Sequence, residues 1–239
     1  TVMNQGNSEH IKEAAKVVSQ YCDIIAIRAF AKLEDRTKDE AEEVLNGFTK
    51  YASIPVINME SSIAHPLQAL ADAITIAENN IKPKPKVVLS WAPHPKALPH
   101  AVANSFIEMI KKQHVEFTIT HPKGYELNPI VTTDCNIEYD QNKALQGADF
   151  VYVKNWSSYS DYGKILSQDS NWMITQAKLG KAKFMHCLPV RRNVVVEDTV
   201  LDGGQSLVLE QANNRTFAAQ IVIKKILEYS NVSSPRARE

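Results

Sequence analysis

Glycine is scarce in this chain, with only eight among 239 residues. The sequence contains neither a Gly-x-Gly-x-x-Gly fingerprint nor a Walker-type loop, so a dinucleotide or triphosphate cradle is not expected. This absence weighs against a nicotinamide-dependent dehydrogenase. A Gly-x-Ser-x-Gly nucleophile elbow is also missing, which argues against a serine hydrolase.

Cysteine is equally rare. Cys22, Cys135 and Cys187 are odd in number, lie far apart and form no Cys-x-x-Cys pair. That pattern favours free thiols in a reducing cytoplasm over disulfides or a structural zinc site. No His, Asp or Glu cluster has the spacing of metal ligands either. We therefore expect a protein that uses no metal and no cofactor.

An excess of charge and long apolar runs are both lacking. Lys plus Arg and Asp plus Glu number 27 each, so charge gives no reason to expect nucleic acid or an anionic membrane as partner. No apolar run approaches the length of about 18 residues that indicates a membrane span. The first residues do not show a charged-then-apolar signal pattern. These features predict a cytoplasmic location.

What the chain does have is a regular alternation of short apolar strands and amphipathic helices. This order predicts an α/β fold with parallel sheets and right-handed crossovers. A helix is expected at 8–22, with Asn7 or Ser8 as its cap. Two more are expected to start at a capping box at Thr37 and at His65-Pro66, and further helices are expected at 101–112, 143–147 and 210–229. Strands are expected at 23–29, 54–58, 86–91, 115–120, 136–139, 149–153, 183–188 and 206–209.

A stiff polar connector, Lys82-Pro-Lys-Pro-Lys86, is the best candidate for a domain boundary. We predict two doubly wound parallel-sheet domains, at 1–81 and 82–209, with a C-terminal helix in 210–239 that returns to the first. The first domain has only two clear strands, too few for a self-sufficient doubly wound unit. It is therefore expected to be incomplete, with further sequence before Thr1.

Residues able to bind or react with a ligand lie at the carboxyl ends of five predicted strands. In open α/β sheets, ligands bind beyond the carboxyl ends of the strands, so these residues are expected to share a cleft. A single loop arginine is usually solvated and a loop histidine is usually a surface cap, but five such strand ends favour one cleft. The residues are Arg28, Glu60, His65, Trp91, His94, Lys154, Asn155, Trp156, Cys187 and Arg191.

The character of this set is cationic. His65 stands at a helix start where the amides of Leu67 and Gln68 point outward, and a helix N-terminus beside an arginine suits a phosphate or carboxylate. A histidine at that place could also polarise a carbonyl, as an oxyanion donor does. The residues therefore indicate group transfer on a small anionic substrate without a metal.

Several motifs in the chain resemble those of one family. His65-Pro-Leu-Gln68 with Asp72 resembles the His-Pro-x-Gln-x-x-x-Asp signature of aspartate and ornithine carbamoyltransferases. His186-Cys-Leu-Pro189 resembles the signature of the ornithine branch. The longer forms Asn58-Met-Glu60, Trp91-Ala-Pro-His94-Pro, Lys154-Asn-Trp156 and His186–Asn193 are similar to the N-acetylornithine and N-succinylornithine carbamoyltransferases. Ordinary ornithine enzymes have Asp-x-x-x-Ser-Met-Gly where this chain has Lys154–Tyr159, which argues against free ornithine.

The resemblance implies a role for each site residue. The δ-amine of an Nα-acylated ornithine would attack carbamoyl phosphate, and His65, Arg28 and Cys187 are the implied catalytic residues. Carbamoyl phosphate would be bound by Arg28, His65, Gln68, Cys187, Leu188 and Arg215. The acylornithine would be bound by Glu60, His94, Lys154, Arg191 and Ser8.

The resemblance also implies a homotrimer with shared active sites, in which a loop near Ser8 reaches a neighbouring subunit and helps to choose the acyl group. Ser8 matches neither the glutamate of the acetyl enzymes nor the proline of the succinyl enzymes. General similarity leans towards succinylornithine. The family's Ser-x-Arg-Thr-Arg phosphate loop does not occur in the 239 residues, so the chain alone is expected to be weakly active or inactive.

Two other functions compete with this one. A two-domain periplasmic-type amino-acid receptor would share the cleft but would bind without turnover. A dehydrogenase would need a nicotinamide. Formation of citrulline from carbamoyl phosphate discriminates among the three.

Overall fold

The computed structural model describes residues 10–233 of the chain. The strands are β1 Ile25–Arg28, β2 Val56–Glu60, β3 Lys86–Trp91, β4 Glu116–Thr120, β5 Asn136–Glu138, β6 Phe150–Lys154 and β7 Lys183–Met185. The helices are α1 Ile11–Val18, α2 Arg36–Glu40, α3 Glu43–Tyr51, α4 Pro66–Asn79, α5 Ala101–Ile110, α6 Pro129–Thr132, α7 Gln141–Leu145, α8 Gln176–Leu179, α9 Asp198–Leu201 and α10 Val208–Ser233.

The larger sheet is parallel throughout and has the strand order β5-β4-β3-β6-β7. The chain winds outward from β3 to one edge and then returns to the other side of β3 with β6. Strand order reverses between β3 and β6, and the carboxyl ends at such a point form a crevice for ligands. Lys154 ends β6 there, in register with Trp91 of β3.

Alternating side chains of β3 supply two separate cores, one on each face of this sheet. Val87, Leu89 and Trp91 belong to the core beneath α5, whereas Val88 belongs to the core on the opposite face. Because successive side chains of a strand point to opposite faces, a strand covered on both sides is apolar at nearly every position. The predicted α/β class with parallel sheets is confirmed.

The smaller sheet contains two parallel strands, β1 and β2. Their register shifts between Ile27 and Arg28, so Arg28 pairs with Glu60 at the carboxyl end of the sheet. A bulge of this kind redirects a side chain at a strand end. Here it sets a guanidinium beside a carboxylate at the edge where α4 begins.

Helix α10 lies against α4 through buried polar side chains. Gln211 donates a hydrogen bond to Asp72 at 2.6 Å, and Asn214 donates to the Thr75 hydroxyl at 3.0 Å. Arg215 donates to Gln68 at 3.0 Å. Polar groups in a dry interface require such partners, so these bonds set the register of the two helices.

Several local expectations were wrong. Residues 206–209 do not form a strand: Ser206 makes only an isolated bridge to Phe184, and α10 already begins at Val208. The cap of α1 is His10. The helix expected to run on from Thr37 is broken instead, because Glu42 has a left-handed φ of 45° between α2 and α3. Asp35 caps α2 by accepting from Lys38.

Between residues 10 and 233, no helix combines the length and the apolar character that crossing a bilayer requires.

Candidate active site

A cavity of about 230 Å³ opens at the carboxyl edge of both sheets. Its walls come from the ends of β1, β2 and β6, from the start of α4 and from the segment after β7. The structure brings eight of the predicted site residues together here: Arg28, Glu60, His65, Gln68, Lys154, Cys187, Leu188 and Arg215. A larger depression of about 630 Å³ beside α1 and α3 has in its wall none of the predicted site residues that lie within residues 10–233.

Glu60 occupies the middle of one wall. Its Oε2 accepts hydrogen bonds from Arg28 Nε at 3.1 Å and Nη2 at 2.9 Å, and lies 3.5 Å from His65 Nε2. The side chain of Glu60 is 11% exposed and that of Arg28 is 53% exposed. The arginine is thus anchored at one end and open to the cavity at the other.

His65 is buried directly before the first turn of α4. Its backbone N–H donates to the Ser105 hydroxyl at 2.7 Å, which fixes the residue that precedes Pro66. Burial, followed by the positive charges of Arg215, Arg28 and Lys154, lowers the pKa of the imidazole to about 4. His65 is therefore neutral at physiological pH, and its Nδ1 has no hydrogen-bond partner within residues 10–233.

Gln68 of α4 and Arg215 of α10 form the next part of the wall. The Gln68 Oε1 atom accepts from Arg215 Nη1 at 3.0 Å. Pro66 at the first position of α4 has no N–H, and the Gln68 N–H donates to the His65 carbonyl at 3.1 Å, so among residues 10–233 the first-turn amide without a backbone partner is that of Leu67. The positive end of this helix and two guanidiniums therefore face the same space, as an oxyanion or phosphate requires.

The segment after β7 closes the other side. His186 is buried and its pKa is lowered to about 3, first by desolvation and then by Lys154 and His94. Its Nδ1 accepts from the backbone N–H of Leu188 at 3.0 Å, so this imidazole stabilises a tight turn. Leu188 has a φ of 51°, and the peptide bond to Pro189 is cis. The turn brings Cys187 and Leu188 into the cavity wall.

Lys154 faces the cavity, whereas His94 and Arg191 lie beside it. The pKa of His94 is lowered by burial and by the charges of Arg191, Lys154 and Lys96, while the bond to the Lys96 carbonyl raises it. These three predicted acylornithine residues thus lie within electrostatic reach of one another. Ser8 lies outside the described residues.

Sequence reasoning missed part of the site. Phe30 lines the cavity and lies under the Arg28 guanidinium at 4.7 Å from the ring centroid. Its position two residues after a strand that ends in arginine is the only local signal for it. Tyr152 and Gln211 lie behind the wall, and neither carries a signal, because their importance depends on contacts across the fold.

The arrangement can bind and polarise a small anion. Two arginines, a lysine and a helix N-terminus converge, and a neutral histidine can donate one hydrogen bond. Among the described residues, no group of three His, Cys, Asp or Glu side chains could hold a metal ion. The chemistry available to these residues is positioning and charge stabilisation.

Comparison with known proteins identifies relatives over nearly the whole chain. Residues 1–78 match the family model for the carbamoyl-P binding domain of aspartate/ornithine carbamoyltransferase, and residues 99–226 match that for its Asp/Orn binding domain. The chain is 47% identical to the N-succinylornithine carbamoyltransferase of Bacteroides thetaiotaomicron, over 95% of this chain and 73% of the relative. It is 36% identical to the N-acetylornithine carbamoyltransferase of Xylella fastidiosa, over 93% and 73%.

Solved structures give the same result. The fold superposes on a crystal structure of acetylornithine transcarbamylase complexed with acetylcitrulline with a TM-score of 0.87 and 33% identity, over 95% of this chain and 75% of that one. A further similar structure is that of a mutant N-acetyl-L-ornithine transcarbamylase complexed with carbamyl phosphate and N-succinyl-L-norvaline. Its TM-score is also 0.87 and its identity 33%, over 95% of this chain and 75% of that one.

Proposed function

Since the chain belongs to the aspartate/ornithine carbamoyltransferase family, we propose that it transfers the carbamoyl group of carbamoyl phosphate to the δ-amine of an Nα-acylated ornithine. The products are an N-acylcitrulline and phosphate, in the synthesis of arginine. The observation that carries this proposal is the convergence of Arg28, His65, Lys154 and Arg215 on one cavity at the sheet edge.

Carbamoyl phosphate binds between the start of α4 and the segment after β7. The phosphate contacts the guanidiniums of Arg28 and Arg215 and the first amides of α4, because bidentate guanidinium contacts and a helix N-terminus both favour a phosphate. The carbamoyl group points to His65 and Gln68, and Cys187 with Leu188 lines the place where the two substrates meet. Phosphate binding requires Arg28 to share its guanidinium between the ligand and Glu60.

The acylated amino acid binds on the side of Lys154, His94 and Arg191. The Lys154 ammonium repels the α-ammonium of free ornithine but pairs with a carboxylate. Acylation removes that α-charge, so the acylated substrate is compatible with Lys154. Leaving an unpaired charge in the cavity would cost several kcal/mol, so the discrimination against free ornithine is large.

The acyl group is succinyl in this proposal. The identity to N-succinylornithine carbamoyltransferases is 47%, against 36% or less for the N-acetylornithine enzymes compared. A succinyl group adds a second carboxylate, and the positive groups beside the cavity, Lys154 and Arg191, suit it.

The chemical step needs no covalent intermediate. The neutral δ-amine attacks the carbamoyl carbon, and the carbonyl oxygen gains negative charge in the tetrahedral intermediate. The N–H of the neutral His65 imidazole donates to that oxygen, and the neighbouring guanidiniums stabilise it. Collapse of the intermediate breaks the bond between the carbamoyl carbon and the phosphate oxygen. The attacking nitrogen gives its proton to the departing phosphate, which leaves as a dianion bound by Arg28 and Arg215.

The domain division predicted above follows from the same proposal. Residues 1–81 carry the carbamoyl-phosphate half, 82–209 carry the acylornithine half, and the C-terminal helix returns to α4. The hydrogen bonds between α10 and α4 support this assignment. We further propose a homotrimer in the cytoplasm, which sedimentation velocity and cell fractionation would test.

The decisive experiment compares amine substrates. We expect kcat/KM to be at least about a hundredfold higher for succinylornithine than for free ornithine, since a buried charge mismatch of several kcal/mol corresponds to such a factor. Lys154→Ala should lower kcat/KM for the acylated substrates. The matched control is Lys164→Ala, because Lys164 is a cation of the following loop that pairs with Asp161 at 3.2 Å. Equal use of free ornithine would contradict the proposal.

A further inference from the structure

The buried carboxyl of Asp72 is linked by hydrogen bonds to three parts of the site: α4, α10 and the segment after β7. Asp72 on α4 is fully buried, one turn after Gln68. Its Oδ1 atom accepts two hydrogen bonds, from Gln68 Nε2 at 2.8 Å and from Gln211 Nε2 of α10 at 2.6 Å. Asp72 itself is not in the cavity wall. Its contacts are with residues that form or support the wall.

Each glutamine uses the oxygen of its side-chain amide to bond a further residue. Gln68 Oε1 accepts from Arg215 Nη1 at 3.0 Å, and Gln211 Oε1 accepts from the backbone N–H of His186 at 2.9 Å. A side-chain amide has one donor end and one acceptor end. Because each donates its Nε2 to Asp72, each must present its oxygen to the next group.

The opposite orientation of either amide would place donor against donor. A reversed Gln68 would turn its NH₂ towards the Arg215 guanidinium, which has no acceptor. A reversed Gln211 would turn its NH₂ towards the His186 N–H, at the start of the turn that carries Cys187 and Leu188. Leaving a buried donor unpaired is costly, so the acceptor at Asp72 decides the arrangement.

We propose that Asp72 is a positioning residue for carbamoyl transfer: one carboxyl oxygen sets the polarity of two amides and so holds Arg215 and the 186–188 turn against carbamoyl phosphate. This inference rests on the proposed function for its substrate. What it adds is that a single carboxyl group fixes the positions of α4, α10 and the segment after β7 relative to one another.

The role depends on the oxygen and not on its charge. Burial raises the pKa of Asp72 to about 7, while the bonds from Gln68 and Gln211, the nearby Tyr152 hydroxyl and the Arg215 charge lower it. Within residues 10–233, Oδ2 and the Tyr152 hydroxyl have no hydrogen-bond partner of good geometry. A neutral Asp72 can carry its proton on Oδ2 and still accept both bonds at Oδ1. An asparagine with its oxygen in that place does the same.

Two variants of Asp72 and one matched control test the proposal in the full-length protein. Asp72→Leu removes the acceptor, and Asp72→Asn keeps it. Thr75→Val is the control, because Thr75 is also fully buried on α4 and bonds to α10 through Asn214, but connects to no residue of the cavity wall. The readouts are melting temperature, kcat and KM for carbamoyl phosphate, and the Kd of inorganic phosphate by calorimetry.

Asp72→Leu should raise KM for carbamoyl phosphate and Kd for phosphate by about tenfold to a hundredfold, the range for losing hydrogen bonds that position a charged group. For Asp72→Asn, both constants should stay within about threefold of the wild-type values. Thr75→Val should have a lower melting temperature but unchanged KM and Kd. An Asp72→Leu protein with wild-type affinities would overturn the proposal. So would an asparagine variant as impaired as the leucine variant, or a valine control with the same loss of affinity.

A second test uses the wild-type protein, so its result does not depend on whether a variant folds. The Nε2 protons of Gln68 and Gln211 should exchange slowly with solvent and show hydrogen-bond couplings to a carboxyl carbon by NMR. Rapid exchange of both would refute the positioning role. If the wild type makes no acylcitrulline, the proposed function fails, but these amide signals still report whether Asp72 orients the two glutamines.

Discussion

Replacing His65 by alanine should reduce turnover far more than it reduces substrate affinity. The imidazole is 5% exposed and lies 3.5 Å from Glu60. Burial, followed by the charges of Arg215, Arg28 and Lys154, lowers its pKa to about 4 and keeps it neutral. A neutral imidazole retains one N–H donor at physiological pH. Removing one such donor from an oxyanion site costs about 10²–10³ in kcat, or about 3–4 kcal/mol of transition-state stabilisation.

The assay is steady-state kinetics with carbamoyl phosphate and succinylornithine, together with melting temperatures. KM for carbamoyl phosphate should change by only a few fold, because Arg28, Arg215 and the α4 amides remain. His100→Ala is the matched control: His100 is 6% exposed and bonds through Nε2 to the Ser157 carbonyl at 2.8 Å, outside the cavity wall. That variant should melt earlier and retain kcat.

The contrary outcome is easy to recognise. If His65 only fills space before α4, His65→Ala will behave as the His100 variant does, with a lower melting temperature and a near-normal kcat. A further check uses the ring nitrogens directly, because the 15N shifts of His65 should remain those of a neutral imidazole down to about pH 5. A ring that protonates near pH 6.5 would refute the reasoning about its donor.

Other consequences follow from the same contacts. Glu60→Gln should tighten inorganic phosphate binding about twofold to fivefold, measured by calorimetry, because the Arg28 guanidinium no longer pairs with a carboxylate. Weaker binding would contradict this. Tyr162→Phe should lower the free energy of unfolding in urea by about 1–2 kcal/mol, since the hydroxyl donates to the buried Asp39 carboxylate at 2.9 Å. An unchanged midpoint would argue against it. The free energy of unfolding should also fall between pH 6.5 and 4 more steeply in the wild type than in His65→Asn. The folded-state pKa of His65 is about 4, below the ordinary 6.5, so the unfolded chain binds more protons in that window. Parallel pH profiles would refute it.

Several strands could be predicted because local pattern decides them. The run Lys86–Trp91 is apolar on both faces and forms β3 at the predicted residues. The placing of Lys154 and Cys187 at one edge of the larger sheet follows from the rule that parallel strands end at a common edge, whereas the meeting of the two sheets at one cavity does not. Both results need only short-range sequence information and a general rule of topology.

Contacts between distant segments could not be predicted. The pairing of Arg28 with Glu60 depends on a register shift between two strands that are 32 residues apart in sequence. Residues 206–209 have the composition of a strand, but helix α10 begins at Val208 and packs on α4, so tertiary contact overrides local pattern. The role of Asp72 is of the same kind, because Gln211 lies 139 residues away.

The most direct test of the central claim is product analysis with 13C-labelled carbamoyl phosphate and succinylornithine in the full-length protein. We predict that mass spectrometry will find the label in the ureido group of N-succinylcitrulline, with one phosphate released per molecule formed. His65→Ala and Lys154→Ala should reduce both products together. Phosphate release without a labelled ureido product, or binding of both ligands without turnover, would contradict the assignment as a carbamoyltransferase.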